Sequence, residues 1–187
     1  MTFIKVIQPE EAEGELRSIY EHLIKTRGKL AEVHKIQSLN PVSIVNHMDL
    51  YATIMFGRSP LRRYQREMIA VVVSGANKCA YCVRHHGLAL DHFWKDRARV
   101  DRLAEDFNDC GLDEVDISIC EYARQLTLKP NAIDECQHVN TLKERGLDDR
   151  AILDIALITS YFNFVNRMVL GLGVELEADG GGGYDYD

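Results

Sequence analysis

The stretch AILDIALITSYFNFVNRMVLGLG, residues 151–173, sets apolar side chains on nearly every face of a helix. A helix apolar all round needs cover on all sides. In a chain of 187 residues it is either the central rod of the core or a contact between subunits. The rest of the sequence also reads as helix. Pro9 followed by Glu10, Glu11 and Glu13 starts a first helix, which runs through Leu16, Ile19, Tyr20, Leu23 and Ile24 to about Arg27 and stops at Gly28. After a short segment over 31–39, Pro41 opens a helix through Ile44, Val45, Met48, Tyr51 and Ile54 that Gly57 closes. Ser59 as cap and Pro60 as first residue begin LRRYQREMIAVVVSGA, polar in its first half and apolar in its second. Asn77 caps the next helix, which runs to about Lys95, and further helices are expected over 97–109, 113–128, 132–145 and 148–172. Only FIKVI, residues 3–7, suits a strand. The expectation is an all-α, single-domain fold of about seven to nine helices over residues 1–177. The glycine-rich acidic end ADGGGGYDYD, residues 178–187, reads as a flexible solubilising tail.

Charge and hydropathy narrow the function classes. A formal charge of −7 disfavours nucleic acid as the main partner, since phosphate binding needs clustered Lys and Arg. The nearest such cluster, RSPLRRYQRE over 58–67, reads as a solvated helix start. No apolar run reaches the roughly 18 residues that a bilayer span requires. The opening MTFIKVIQPEEAEGE has neither the basic head nor the apolar block of a secretory signal. The chain is therefore expected in the cytoplasm, away from membranes, with its five cysteines reduced.

Chemistry concentrates in ANKCAYCVRHHG, residues 76–87. On a helix advancing roughly 100° per residue, Cys79, Cys82 and His86 fall within about 60° of one another, on the face that also carries Leu90 and Phe93. Cys82 and His86 are neighbours at i, i+4, whereas His85 points elsewhere. A free thiol with a pKa near 8.5 is only about 3% thiolate at neutral pH, and the thiolate is the nucleophile. The start of a helix contributes about 0.3–1 kcal/mol to a thiolate at Cys79, less than one pKa unit. A base is needed. His86 is the local one, and Glu67, a carboxylate at the edge of the apolar MIAVVV, is the group able to orient it. The same residue types also suit zinc, although structural zinc wants four ligands and no second CxxC or HxxxH exists. Two buried cysteines acting as small hydrophobes are a further reading. Cys110, Cys120 and Cys136 stand apart from one another, and His22, His34, His47, His92 and His138 read as surface or packing residues.

Glu67, twelve residues to Cys79, then CAYC and His86 resemble the alkylhydroperoxidase D-like branch of the carboxymuconolactone decarboxylase superfamily. PLRRYQREMIAVVVSGANKCAYCVRHH over 60–86 is similar to the family core, and ITSYFNFVNRMVLGLGVELE over 158–177 to the closing helix of its peroxidase-related members. The resemblance implies an all-helical subunit assembling as a trimer or hexamer, and thiol-dependent reduction of hydroperoxides without a cofactor or metal. Cys82 would then attack the peroxide, Cys79 would resolve the sulfenic acid, and Glu67 and His86 would relay protons. An external dithiol or dithiol protein would restore the pair. Tyr81 stands where the family relay has a histidine; with a pKa near 10 it donates a hydrogen bond but cannot act as base at neutral pH. The decarboxylase branch lacks the paired cysteines. Thiol–disulfide exchange without peroxidase turnover remains the alternative.

Overall fold

The computed structural model of the chain describes residues 2–184. Nine α-helices are present among them: α1 Gly14–Arg27, α2 Glu32–Lys35, α3 Pro41–Phe56, α4 Arg63–Ala76, α5 Ala80–Trp94, α6 Arg97–Glu105, α7 Glu114–Leu128, α8 Asn140–Glu144 and α9 Asp149–Gly171. α4 is the centre. Every residue from Gln65 to Ser74 is buried, and α5, α6, α7 and α9 all pack against this helix. A polar first turn followed by MIAVVV is therefore a rod whose end alone reaches solvent. Gly75 permits the close approach of α6, since a Cβ there would lie 2.2 Å from the Ala104 carbonyl oxygen. A smaller apolar cluster of Leu16, Tyr20, Leu23 and Ile44 joins α1 to α3.

Helix α9 has two characters. Ile155, Ile158 and Phe162 are fully buried, as a central rod requires. Leu153, Leu157 and Phe164 remain 41–53% exposed, an apolar stripe that the subunit itself leaves uncovered.

Several local expectations are corrected. FIKVI forms no strand, and none occurs among the described residues. With no neighbouring strand to pair with, its amides turn to the helices: Phe3 N–H donates to Leu172 O at 3.0 Å and Ile7 N–H to the Ser38 hydroxyl at 2.9 Å. Ser59 does not cap α4, which starts at Arg63; its hydroxyl accepts from Leu61 N–H and donates to Asp154 at the start of α9. Asn77 ends α4 rather than starting α5. Its amide donates to Asn163 and Asn166 on α9, both at 3.0 Å. The helix expected over 132–145 breaks into a 3₁₀ turn at Pro130–Ala132, a π turn at Glu135–Val139 and short α8. Phe93, placed with Cys79 on the inward face, is 36% exposed near the end of α5.

Candidate functional site

The turn between α4 and α5 sets the sulfurs. Lys78 takes a left-handed conformation (φ 57°), its N–H donates to Gly75 O, and Cys79 N–H donates to Ser74 O, both at 2.9 Å. These paired bonds close α4 in the manner of a Schellman motif, and Cys79 becomes the residue that caps α5. Cys82 follows one turn later, with its Sγ 3.1 Å from that of Cys79. Both side chains are buried, at 0% and 2% exposure. The contact between the sulfurs pulls the Cys79 thiol down, against the effect of burial. The same contact, reinforced by burial, pushes Cys82 up. One proton therefore leaves the pair readily and the second is held.

Glu67 projects from α4 beside this turn, and only 1% of its side chain is exposed. Its Oε2 lies 2.7 Å from His86 Nδ1. Oε1 lies 2.7 Å from Arg63 Nη1, an ion-pair contact outside hydrogen-bond geometry. Burial pushes the Glu67 carboxyl up, but the His86 and Arg63 contacts outweigh it, and its pKa lies below the ordinary value. A carboxylate there accepts from His86 Nδ1–H, which fixes the tautomer and leaves Nε2 as the basic nitrogen. The edge of the His86 ring meets Phe162 at a centroid distance of 4.5 Å.

A cavity of about 80 Å³ opens on this cluster, lined by Cys82, His86, Tyr51, His34, His47 and Phe162 among others. Cys79 is not part of its wall. His47 accepts from Gln37 Nε2 at 2.8 Å on Nδ1, so its Nε2–H faces the Tyr161 hydroxyl at 2.5 Å. Burial pulls His47 down to about 4. For His34, burial first and then the charges of His47 and Arg27 bring the value to about 3. Both rings are neutral at neutral pH, and His34 Nδ1 is buried without a hydrogen-bond partner.

A second carboxylate, from beyond α9, binds two residues of the cavity wall, His85 and Tyr81. Glu177 Oε2 lies 2.8 Å from His85 Nε2, and its Oε1 accepts from the Tyr81 hydroxyl at 2.7 Å and from Glu32 N–H at 2.9 Å. Burial pushes Glu177 up, but the hydrogen bonds from His85, Glu32 and Tyr81 win and hold it at about 2.

Residues 46–105, from α3 to the end of α6, match the model of the carboxymuconolactone decarboxylase family. The matched segment contains Glu67, both clustered cysteines and His86. Over that segment the chain is similar to the carboxymuconolactone decarboxylase family. Its fold is that of the AhpD-like, peroxidase-related proteins. An uncharacterized peroxidase-related protein from Silicibacter sp. TM1040 superposes with a TM-score of 0.83 at 29% identity, over 97% of this chain and 98% of that one. The alkylhydroperoxidase AhpD core of a peroxidase-related protein from Ralstonia eutropha JMP134 gives 0.86 at 23% identity, over 96% and 94%. The debrominase Bmp8, in complex with 2,3,4-tribromopyrrole, shares the fold at 21% identity with a TM-score of 0.77, over 95% and 93%. No curated protein matches significantly.

In this chain the four residues Cys79, Cys82, Glu67 and His86 come together as the sequence placed them. Tyr81 lines the same cavity as Cys82 and His86, but its hydroxyl turns to other partners. That hydroxyl donates to Glu177 and accepts Val33 N–H at 3.2 Å. His85, expected to point away, lines the cavity. His34 and His47, read as surface or packing residues, are buried in its wall. Asn166 was missed as well: fully buried on α9, it eases ionisation of Cys82 and donates to the Ser74 hydroxyl at 3.1 Å. A polar Asn inside an otherwise apolar helix was the available signal. Composition concealed the contacts of the C-terminal segment. Lys29 Nζ binds Asp179 at 2.9 Å and Gly182 O at 2.6 Å, and Arg84 Nε donates to Gly180 O at 2.9 Å. Residues 185–187 of the expected tail lie outside the described residues. Among the described residues no group of three or more His, Cys, Asp and Glu side chains is arranged to hold a metal ion.

Proposed function

We propose that this AhpD-like protein is a thiol-dependent peroxidase that reduces small hydroperoxides through the Cys79–Cys82 pair. The observation that carries the reading is a pair of sulfurs 3.1 Å apart, one of them in the cavity wall beside an imidazole held by a buried carboxylate. Access selects Cys82 as the nucleophile, because Cys79 lies behind it. The raised pKa of Cys82 is the reason a base is required. His86 Nε2 takes the proton while Glu67 stays ionised. The Cys82 thiolate attacks the terminal peroxide oxygen, the O–O bond breaks, and an alcohol departs from a sulfenic acid. Cys79, the sulfur of lower pKa, then attacks Cys82 and expels water as the disulfide forms. An external dithiol, or a dithiol protein, returns both thiols. The cycle uses no metal or bound cofactor. Burial of both sulfurs favours a small oxidant over a protein disulfide, which ranks this reading above thiol–disulfide exchange.

Titration tests it. One equivalent of alkyl hydroperoxide should consume two thiols per chain and leave a Cys79–Cys82 disulfide in the peptide map. An unchanged thiol count, or oxidation confined to exposed Cys136, would refute the assignment.

The uncovered stripe of Leu153, Leu157 and Phe164 supports assembly as a homo-oligomer, a trimer or hexamer. Sedimentation should find no monomer at micromolar concentration; a stable monomer would rule assembly out. No described helix is long and apolar enough to cross a membrane, and reduced thiols suit the cytoplasm.

A further inference from the structure

We propose that His85, held by Glu177, is the general acid that protonates the departing oxygen when Cys82 attacks a hydroperoxide. The inference rests on the peroxidase reading and adds a residue to it.

Two imidazole–carboxylate pairs stand on successive residues of α5: His86 with Glu67 and His85 with Glu177. Both imidazoles line the cavity that Cys82 faces. The reaction has two separate proton demands. One proton must leave the sulfur before attack, and another must reach the alkoxide as the O–O bond breaks. Displacement at oxygen is in line, so the leaving oxygen lies on the far side of the attacked atom from the sulfur. A single ring positioned to deprotonate the sulfur is badly placed to serve that oxygen. Two rings solve the geometry.

The second pair is built for proton transfer. Glu177 carries three donors, from His85, the Tyr81 hydroxyl and Glu32 N–H. The His85 ring lies against Tyr81 at a centroid distance of 4.4 Å, and a Cβ at Gly181 would come within 3.0 Å of its Nε2. With Nε2–H committed to Glu177, Nδ1 carries a proton to donate only in the imidazolium form of the ring, whose charge the Glu177 carboxylate balances and which donation leaves neutral. The electron balance is complete: the thiolate forms the S–O bond, the O–O pair goes to the alkoxide, and His85 Nδ1–H gives that alkoxide its proton. Glu177 is a positioning residue. Its place depends on the segment beyond α9, which Lys29 and Arg84 tie down through Asp179, Gly182 and Gly180.

A general acid matters only when the leaving group is basic. Single-turnover oxidation of the full-length protein by ethyl hydroperoxide, whose leaving group is an alkoxide, is compared with oxidation by peracetic acid, which releases a stable carboxylate. His85→Gln should slow the first reaction about 10²-fold and leave the second within about threefold. Glu177→Gln, which keeps a partner for the Tyr81 hydroxyl, should show the same selective loss in smaller measure. Equal slowing with both oxidants, or no slowing with ethyl hydroperoxide, would overturn the assignment. Failure of the wild-type protein to react with either oxidant would instead remove the peroxidase reading, and the acid with it.

Discussion

Cys82→Ser should abolish catalytic peroxide consumption, a loss of at least about 10³-fold, whereas Cys79→Ser should complete one oxidation per chain and stop. The asymmetry follows from position. Cys82 lies in the cavity wall and Cys79 does not, so a serine at 82 removes the only sulfur of the pair that a peroxide can meet there. A serine at 79 leaves that sulfur and its base, His86, in place. It removes the partner whose sulfur lies 3.1 Å away and would close the disulfide. A sulfenic acid at Cys82 should then persist and be trapped by dimedone. The contact that pushes the Cys82 thiol up is lost in Cys79→Ser, so its single oxidation should not be slower than the first oxidation of wild type. Wild-type turnover by Cys82→Ser would sink the nucleophile assignment. An inverted pattern, with Cys82→Ser oxidised once and Cys79→Ser inert, would assign attack to the sulfur of lower pKa instead.

Acid should weaken the fold well above the ordinary carboxylate range. His34 and His47 have ordinary values of 6.5 and folded values of about 3 and about 4. For a base with a depressed folded value, the unfolded chain binds the proton first. Their contribution is therefore complete above pH 6.5, falls as pH drops through that value, and is fully lost only below the folded values. At pH 5 the linkage cost is about 2 kcal/mol for each ring, so about 4 kcal/mol for both, a large part of a typical domain's stability of about 5–15 kcal/mol. Glu177 acts later. Its folded value of about 2 lies below the ordinary 4.5, so its contribution begins to fail only as pH drops beneath 4.5. Urea unfolding at pH 7 and pH 5 separates these effects. The double variant His34→Gln, His47→Gln should lose most of the difference between the two pH values. A difference equal to that of the wild type would show that other groups carry the acid sensitivity.

Much of this was legible in one dimension. Glycine and proline punctuation located most of the helix ends, because a chain with no strand partner has few other ways to satisfy its backbone. Gly28 ends α1 with φ 80° and Gly57 closes α3, as their positions implied. The i, i+4 spacing of Cys82 and His86 placed them together, since a single helix defines that relation. Glu67 was marked by a conflict: a carboxylate in an apolar run needs a partner. Where the reading failed, the deciding contact came from far along the chain. Ser59 looked like a cap, yet its hydroxyl is taken by Asp154. Asn77 looked like the start of α5, but its amide is claimed by α9.

That α4 is the central rod was decided by packing; by itself, the sequence determined most of the helices and the local cluster of two thiols, an imidazole and the carboxylate one helix away. Those relations depend on rise, rotation and burial within α4 and α5, which short-range rules govern. Only the tertiary structure decided which sulfur meets the cavity, that His34 and His47 wall it, and that Tyr81 and His85 answer to Glu177 instead of Glu67. These depend on how α2, α3, α9 and the segment after it close around α5. No periodic signal in the chain encodes a contact between residues more than ninety positions apart, such as Glu177 and His85.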